Sequence, residues 1–147
     1  MSQQEILLVE DNPDDVALTV RAFKKNNITN HIVNVTDGVE ALDYMFAKGR
    51  FADRNPEDLP VIVLLDLKLP KMDGHEVLRN IRSRELTQYV PVIILTSSKE
   101  EEDLIKGYKN GCNSYVQKPV NFNQFVEAVQ SLGLYWLILN EPPPKRH

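Results

Sequence analysis

Glu10, Asp11, Asp66, Thr96 and Lys118 are the side chains of this sequence best suited to metal-assisted phosphoryl chemistry. Magnesium prefers oxygen ligands in octahedral geometry, keeps several waters, and is held in proteins by one or two carboxylates together with phosphate oxygens. Asp11 and Asp66 have the side chains for direct ligation, with Glu10 reaching the ion through water. Phosphoryl transfer needs in-line positioning and neutralisation of charge on the transferring oxygens. The ammonium of Lys118 and the hydroxyl of Thr96 suit that second need. A carboxylate can also form an acyl phosphate, which makes Asp66 the candidate nucleophile. Taken singly, each has a plainer reading: Glu10 and Asp11 as helix-capping acids, Asp66 as the cap of a turn, Thr96 as a strand end, Lys118 as a solvated lysine. Their weight as a set comes from where the chain places them.

Five apolar runs punctuate the sequence, at Ile6–Val9, Ile32–Val35, Val61–Leu65, Val92–Leu95 and Tyr115–Val116. The first, third and fourth are continuous in Val, Ile and Leu, the pattern of parallel strands covered on both faces. The fifth is weak alone and is placed by its position between a helix stop at Asn110-Gly111 and a further helix start. Helical segments lie between the runs. Asn12 caps the first of these, with Pro13 at its first position, Asp14 and Asp15 at the positive end of its dipole, and Val16, Val20 and Phe23 at helical spacing. Ser98 with Glu101 reads as a capping box, and Asn121 with Gln124 as a similar signal. Strand and helix alternate five times, so the expected fold is α/β, a flavodoxin-like doubly wound (βα)5 sandwich with a five-stranded parallel sheet. In such sheets function gathers at the carboxyl ends of the strands. All five candidate residues fall there.

Composition narrows the function classes. A chain of 147 residues, 42% hydrophobic and 26% charged, is one ordinary globular domain. At this size about 70% of the unfolded surface is buried, so no disulfide or structural metal is needed. Cys112 is the sole cysteine and reads as a small packing residue before a strand. A formal charge of −4 with scattered Lys and Arg argues against nucleic acid and membrane surfaces as partners. No secretory signal or run of some 18 apolar residues is present, which points to a soluble, cytoplasmic protein. Neither GxxxxGK[ST] nor GxGxxG occurs, so nucleotide-binding loops have no support.

The segments ILLVEDN at 6–12, VLLDLKLPKMDG at 63–74, VIILTSS at 92–98 and YVQKP at 115–119 make the chain resemble the receiver domains of two-component response regulators over nearly its whole length. The resemblance implies that Asp66 accepts a phosphoryl group from a sensor histidine kinase or His phosphotransfer domain. It further implies that Glu10, Asp11, Asp66 and the Lys68 backbone carbonyl hold Mg²⁺, and that Thr96 and Lys118 contact the phosphoryl oxygens. Tyr115 matches the aromatic switch position, with a half-buried strand aromatic as the plainer alternative. Such a protein transfers phosphate to itself and slowly loses it; it does not turn over an external substrate. The Lys118–Pro119 bond is expected to be cis, aiming the lysine into the site. Pro70 and Asp73-Gly74 shape the loop after Asp66, with Gly74 read as permitting a turn conformation that other residues strain to adopt.

Two other readings compete. A haloacid-dehalogenase-type phosphatase also uses a strand-end Asp with Mg²⁺, but the position two beyond the nucleophile is Lys68 where that class needs an acid. A phosphate-independent interaction module is opposed by the intact set of acids, hydroxyl and lysine. The expected organisation is a receiver domain over 1–139 and a short Pro-rich tail over 140–147, with no output domain. The stretch from Ala47 to Pro60 exceeds the usual ~4–6 residues of a connection and resembles the receivers that partner phytochromes. After a core-facing stripe of Phe122, Phe125, Val126, Val129 and Leu132, the chain continues through six apolar or aromatic residues, Leu134 to Leu139. These circle a helix, which leads to the expectation of a homodimer with Tyr135 and Trp136 as interface anchors, the plainer alternative being a segment folded back onto its own domain with Trp136 closing the edge of the core.

Overall fold

The computed structural model describes residues 4–97, 100–118 and 122–132. Its strands are β1 (Ile6–Val9), β2 (Ile32–Val35), β3 (Ile62–Leu65), β4 (Val92–Thr96) and β5 (Ser114–Gln117). The helices are α1 (Pro13–Lys25), α2 (Gly38–Phe46), α3 (Gly74–Arg82), α4 (Glu101–Lys109) and α5 (Phe122–Leu132). The strands form one parallel sheet in the order β2-β1-β3-β4-β5. This is the doubly wound sandwich expected from the sequence.

The continuous apolar runs arise because both faces of the sheet are covered. Leu7, Val9, Val63, Leu65, Val92 and Ile94 enter one core, completed by Ala41, Met45, Val77, Leu78 and Ile81 from α2 and α3. Their alternates Ile6, Leu8, Ile62, Leu64, Ile93 and Leu95 enter the other, completed by Ala22 and Phe23 of α1 and Phe125 and Val129 of α5. Cys112 is buried in the first core, as its reading as a packing residue required.

Local chemistry sets the helix ends. Asn12 Oδ1 accepts hydrogen bonds from the N–H groups of Asp14 (2.9 Å) and Asp15 (3.3 Å), and Pro13 fills the first position. Asp37 caps α2 by accepting from the Glu40 N–H, and Asp73 caps α3 by accepting from the Glu76 N–H. The expected Ser98–Glu101 capping box needs correcting, because α4 starts at Glu101 with Glu100 at its N-cap position and, among the described residues, no side-chain cap hydrogen bond. Ser98 itself lies outside the described residues, as do Asn121, read as the cap of α5, Pro119, Tyr135 and Trp136.

The long segment after α2 is folded against the domain. It contains a 3-10 turn at Gly49–Phe51. The Phe51 ring meets the Tyr44 ring edge-on at 5.2 Å, and the Arg54 guanidinium lies over the Tyr44 ring at 3.8 Å. Tyr44 in turn donates to Glu5. An open cavity of about 530 Å³ beside these residues sits at the amino-terminal edge of the sheet, away from the candidate residues.

Arg82, in the last turn of α3, ties that same edge together elsewhere. Its guanidinium donates to the carbonyls of Gly111 (2.8 Å) and Val90 (2.8 Å) and to Asn113 Oδ1 (2.7 Å). Asn113 Oδ1 also accepts from the Val92 N–H. One side chain thereby joins the loops that enter β4 and β5.

Candidate functional site

Strand order brings the acids together. β1 and β3 are neighbours with Val9 paired to Leu65, so the residues that follow, Glu10 and Asp66, emerge side by side. The Asp66 N–H donates to the Val9 carbonyl and the Glu10 N–H to the Val35 carbonyl, extending the ladder by one residue on each side. Carboxylate oxygens of Glu10, Asp11 and Asp66 lie within 4.8 Å of one another. Glu10 and Asp66 are buried, at 3% and 9% exposure, and Asp11 is open to solvent. A hard divalent cation with oxygen ligands suits this set, since three carboxylates crowded together need positive charge between them. The exposed side of Asp11 leaves room for water ligands.

Lys118 closes the arrangement from the end of β5. Its N–H donates to the Thr96 carbonyl at 2.7 Å, fixing it beside the end of β4. Its Nζ donates to Glu10 Oε1, to Asp15 Oδ2 at 2.9 Å and to Asp66 Oδ2 at 3.3 Å. Burial works against the charge of Lys118, yet the hydrogen bonds to Glu10 and Asp15 outweigh it and hold the ammonium above its ordinary range. Burial raises Glu10, Lys118 pulls it down and the Asp66 charge pushes it up again, leaving it at about 7. A cation among the three acids would act on Glu10 in the same sense as Lys118.

The loop beyond Asp66 is held by close backbone approach. The Lys68 N–H faces Asp66 Oδ1 at 3.4 Å, the long limit of a hydrogen bond, and the Gly74 N–H donates to the Leu67 carbonyl at 2.8 Å. The expected reason for Gly74 needs correcting. Its φ is not positive; the left-handed residue of this loop is Lys71, at φ 67°. Glycine is needed at 74 because a Cβ there would lie 2.4 Å from the Asp66 carbonyl oxygen and 2.7 Å from Leu67 Cα. Gly38 serves the same loop, since its Cβ would lie 2.5 Å from the Met72 carbonyl oxygen.

Thr96 is fully buried at the end of β4. Tyr115 pairs with Ile94 and is half-buried against the first core, with its ring near α4. A Cβ on Gly107 of α4 would stand 3.3 Å from Tyr115 Cδ2. The fold therefore groups Glu10, Asp11, Asp66, Thr96 and Lys118 at one edge, with Tyr115 one turn of pleat behind.

Two partnerships had escaped the sequence reading. Asp15, read only as a helix-dipole acid, reaches Lys118; the available signal was its place one turn beyond Asp11 on a helix that starts at the site. His75, next to Gly74, is buried and sets Nε2 3.2 Å from Asp103 Oδ1 of α4, linking α3 to α4. Among the described residues its Nδ1 has no hydrogen-bond partner. No sequence signal pairs residues 75 and 103.

Comparison with known proteins agrees with this geometry. The response regulator receiver domain family matches residues 6–130. A probable methanogenesis regulatory protein, FilR2 of Methanothrix harundinacea, is 43% identical over 138 residues, spanning 94% of this chain and 86% of that protein. Response regulator Rcp1 of Synechocystis is 35% identical, over 90% of this chain and 88% of that protein. The Mn²⁺-bound crystal structure of Rcp1 superposes with a TM-score of 0.86, covering 96% of this chain and 99% of that one. The crystal structure of the phosphorylated cyanobacterial phytochrome response regulator RcpA gives a TM-score of 0.88 at 34% identity, covering 97% and 100%. Among the described residues no helix is long and apolar enough to cross a membrane.

Proposed function

The chain belongs to the response regulator receiver domain family, and we propose that Asp66 is the side chain on which it accepts a phosphoryl group from a sensor histidine kinase or His phosphotransfer domain. As a receiver it is a signalling protein and not a turnover enzyme. The observation that carries the assignment of Asp66 is its position, buried at the end of β3 between two further acids and the Lys118 ammonium. Asp66 oxygen forms the new O–P bond as the N–P bond of the phosphohistidine breaks. Lys118 and the Thr96 hydroxyl meet the phosphoryl oxygens and balance their charge. Glu10, Asp11, Asp66 and the Lys68 carbonyl would hold Mg²⁺, which when bound would supply neutralisation of the phosphoryl charge. The same residues carry the protein's own slow dephosphorylation.

Incubation with acetyl phosphate and Mg²⁺ should add one acid-labile phosphoryl group, seen by intact-mass spectrometry, and Asp66→Asn or chelation of Mg²⁺ should abolish it. Equal phosphorylation of wild type and Asp66→Asn would refute the assignment.

The signal leaves through a coupled shift of Thr96 toward the phosphate and of the Tyr115 ring inward. The placement of Tyr115 against α4, near Gly107, supports that switch. A phytochrome-type kinase is the proposed donor, supported by similarity to the phytochrome response regulator RcpA. Phosphotransfer profiling against the sensor kinases of the source organism tests it: a non-phytochrome kinase as the kinetically preferred donor would overturn the assignment. The receiver pairs as a homodimer through Tyr135 and Trp136, a reading supported by the apolar run Leu134 to Leu139 in the sequence. Light scattering should give twice the chain mass, reduced by Trp136→Ala or Tyr135→Ala; a wild-type monomer at high concentration in both phosphorylation states would rule the dimer out.

A further inference from the structure

Lys118 is shared among three carboxylates, and only two of them have a place in the phosphoryl chemistry. Its ammonium has three N–H donors. Glu10, Asp15 and Asp66 take one contact each, and the two shorter ones are to Glu10 and Asp15. Glu10 is fixed: its side chain is 4% exposed and its other oxygen accepts from the Asn12 N–H at 3.2 Å. Asp15 is looser, with a side chain 33% exposed on the first turn of α1. Its carboxylate and that of Asp66 meet the same nitrogen, so they stand no further apart than those two contact distances laid end to end.

We propose that Asp15 is a positioning residue that competes with the phosphoryl group for Lys118 and so biases the protein toward its unphosphorylated state. The inference rests on Asp66 being the phosphoryl acceptor. Without phosphate, Asp15 satisfies one ammonium hydrogen and holds Lys118 toward α1. With phosphate on Asp66, about two further negative charges enter the same space. Lys118 must then turn a donor from a carboxylate to a phosphoryl oxygen, and the Asp15 charge stands unrelieved beside the new anion. Only an interaction that differs between two states can shift their balance, and Asp15 favours the empty state on both counts. Glu10 differs from it because a cation held among the three acids would offset its charge.

Removing one unit charge at this separation, at the effective dielectric of a partly exposed site, should tighten binding of an anionic phosphoryl mimic by roughly tenfold. Beryllofluoride with saturating Mg²⁺, titrated calorimetrically, is the probe. Asp15→Asn, which keeps shape and loses charge, should bind about tenfold more tightly than wild type, and Asp15→Ala should do the same if the amide disturbs α1. Asp15→Glu, which keeps the charge, should stay within about twofold. Asp14→Asn removes the same charge from the same helical turn without touching Lys118, and an exposed charge is well screened. It should also stay within about twofold. A merely structural part for Asp15 would change melting temperature alike in all variants and leave beryllofluoride affinity unmoved. Unchanged or weaker binding by both Asp15→Asn and Asp15→Ala overturns the inference, and so does equal tightening by Asp14→Asn. If wild type itself bound no beryllofluoride, the acceptor assignment would fall and this inference with it; if wild type binds and the Asp15 variants match it, this inference alone falls.

Discussion

Replacing Gly74 by alanine sets two effects of opposite sign against each other. Alanine is the better helix former, worth up to about 1 kcal/mol inside a helix and less at the first helical residue. Against this, the new methyl would lie 2.4 Å from the Asp66 carbonyl oxygen, 2.7 Å from Leu67 Cα and 3.1 Å from the Asp66 carbonyl carbon. All three are backbone atoms, so no side chain can swing aside. Overpacking of this kind costs about 1–3 kcal/mol, and a rigid backbone obstacle places it in the upper part of that range. The expected net loss is about 2 kcal/mol, which for a small domain lowers the urea midpoint by roughly 1 M. Because the backbone that must move is that of Asp66, the proposed acceptor, phosphorylation by acetyl phosphate should slow in the folded variant at low urea. Urea denaturation followed by far-ultraviolet circular dichroism gives the first quantity, and intact-mass time courses the second. A Gly74→Ala protein with an unchanged or higher midpoint and a wild-type phosphorylation rate would refute the account of this glycine.

Arg82→Met keeps much of the side-chain volume but strands the Gly111 and Val90 carbonyls and leaves Asn113 Oδ1 with the Val92 N–H alone, so it should cost about 3 kcal/mol; a loss below about 1 kcal/mol in chemical denaturation would contradict the bracket. Glu10 has its folded pKa raised from 4.5 to about 7, so the folded state holds that proton more tightly than the unfolded chain does. Its contribution to stability is therefore full below the unfolded value and is lost as pH rises through about 7. In chelator, melting temperature should fall across that window and Glu10→Gln should remove the fall, whereas the same slope in Glu10→Gln would assign it to another group.

The parts of the fold legible in the sequence were those written in local pattern. β1, β3 and β4 announce themselves as uninterrupted Val, Ile and Leu because both faces are buried, and Asn12-Pro13 marks its helix by chemistry confined to four residues. Glu10, Asp11, Asp66, Thr96 and Lys118 were legible as a group once the strands were ordered, since each sits at a strand end. What escaped was pairing at long range. Arg82 looks like any surface cation in the last turn of a helix, and its three acceptors are separated from it by 8, 29 and 31 positions. Asp15 and His75 likewise take their meaning from residues on other elements. Gly74 was identified correctly and explained wrongly, because a close approach between backbones leaves no trace in composition. The segment from 47 to 60 was visible as long, but its seating on Tyr44 depends on ring geometry that spacing does not encode.

The bracket made by Arg82 has a mechanical side. It clamps the loops entering β4 and β5 at the edge of the sheet farthest from Asp66, and it grips Gly111, just past the carboxyl end of α4. The amino end of α4 lies at the opposite edge, where Asp103 meets His75 beside the acceptor loop. A helix held at one end and nudged at the other behaves as a lever with a fixed fulcrum. Were α4 displaced at its amino end, the grip on Gly111 would set the pivot, so the movement would be smallest near Lys109 and larger from the mid-helix residues Leu104 and Ile105, both exposed to solvent, toward Glu101.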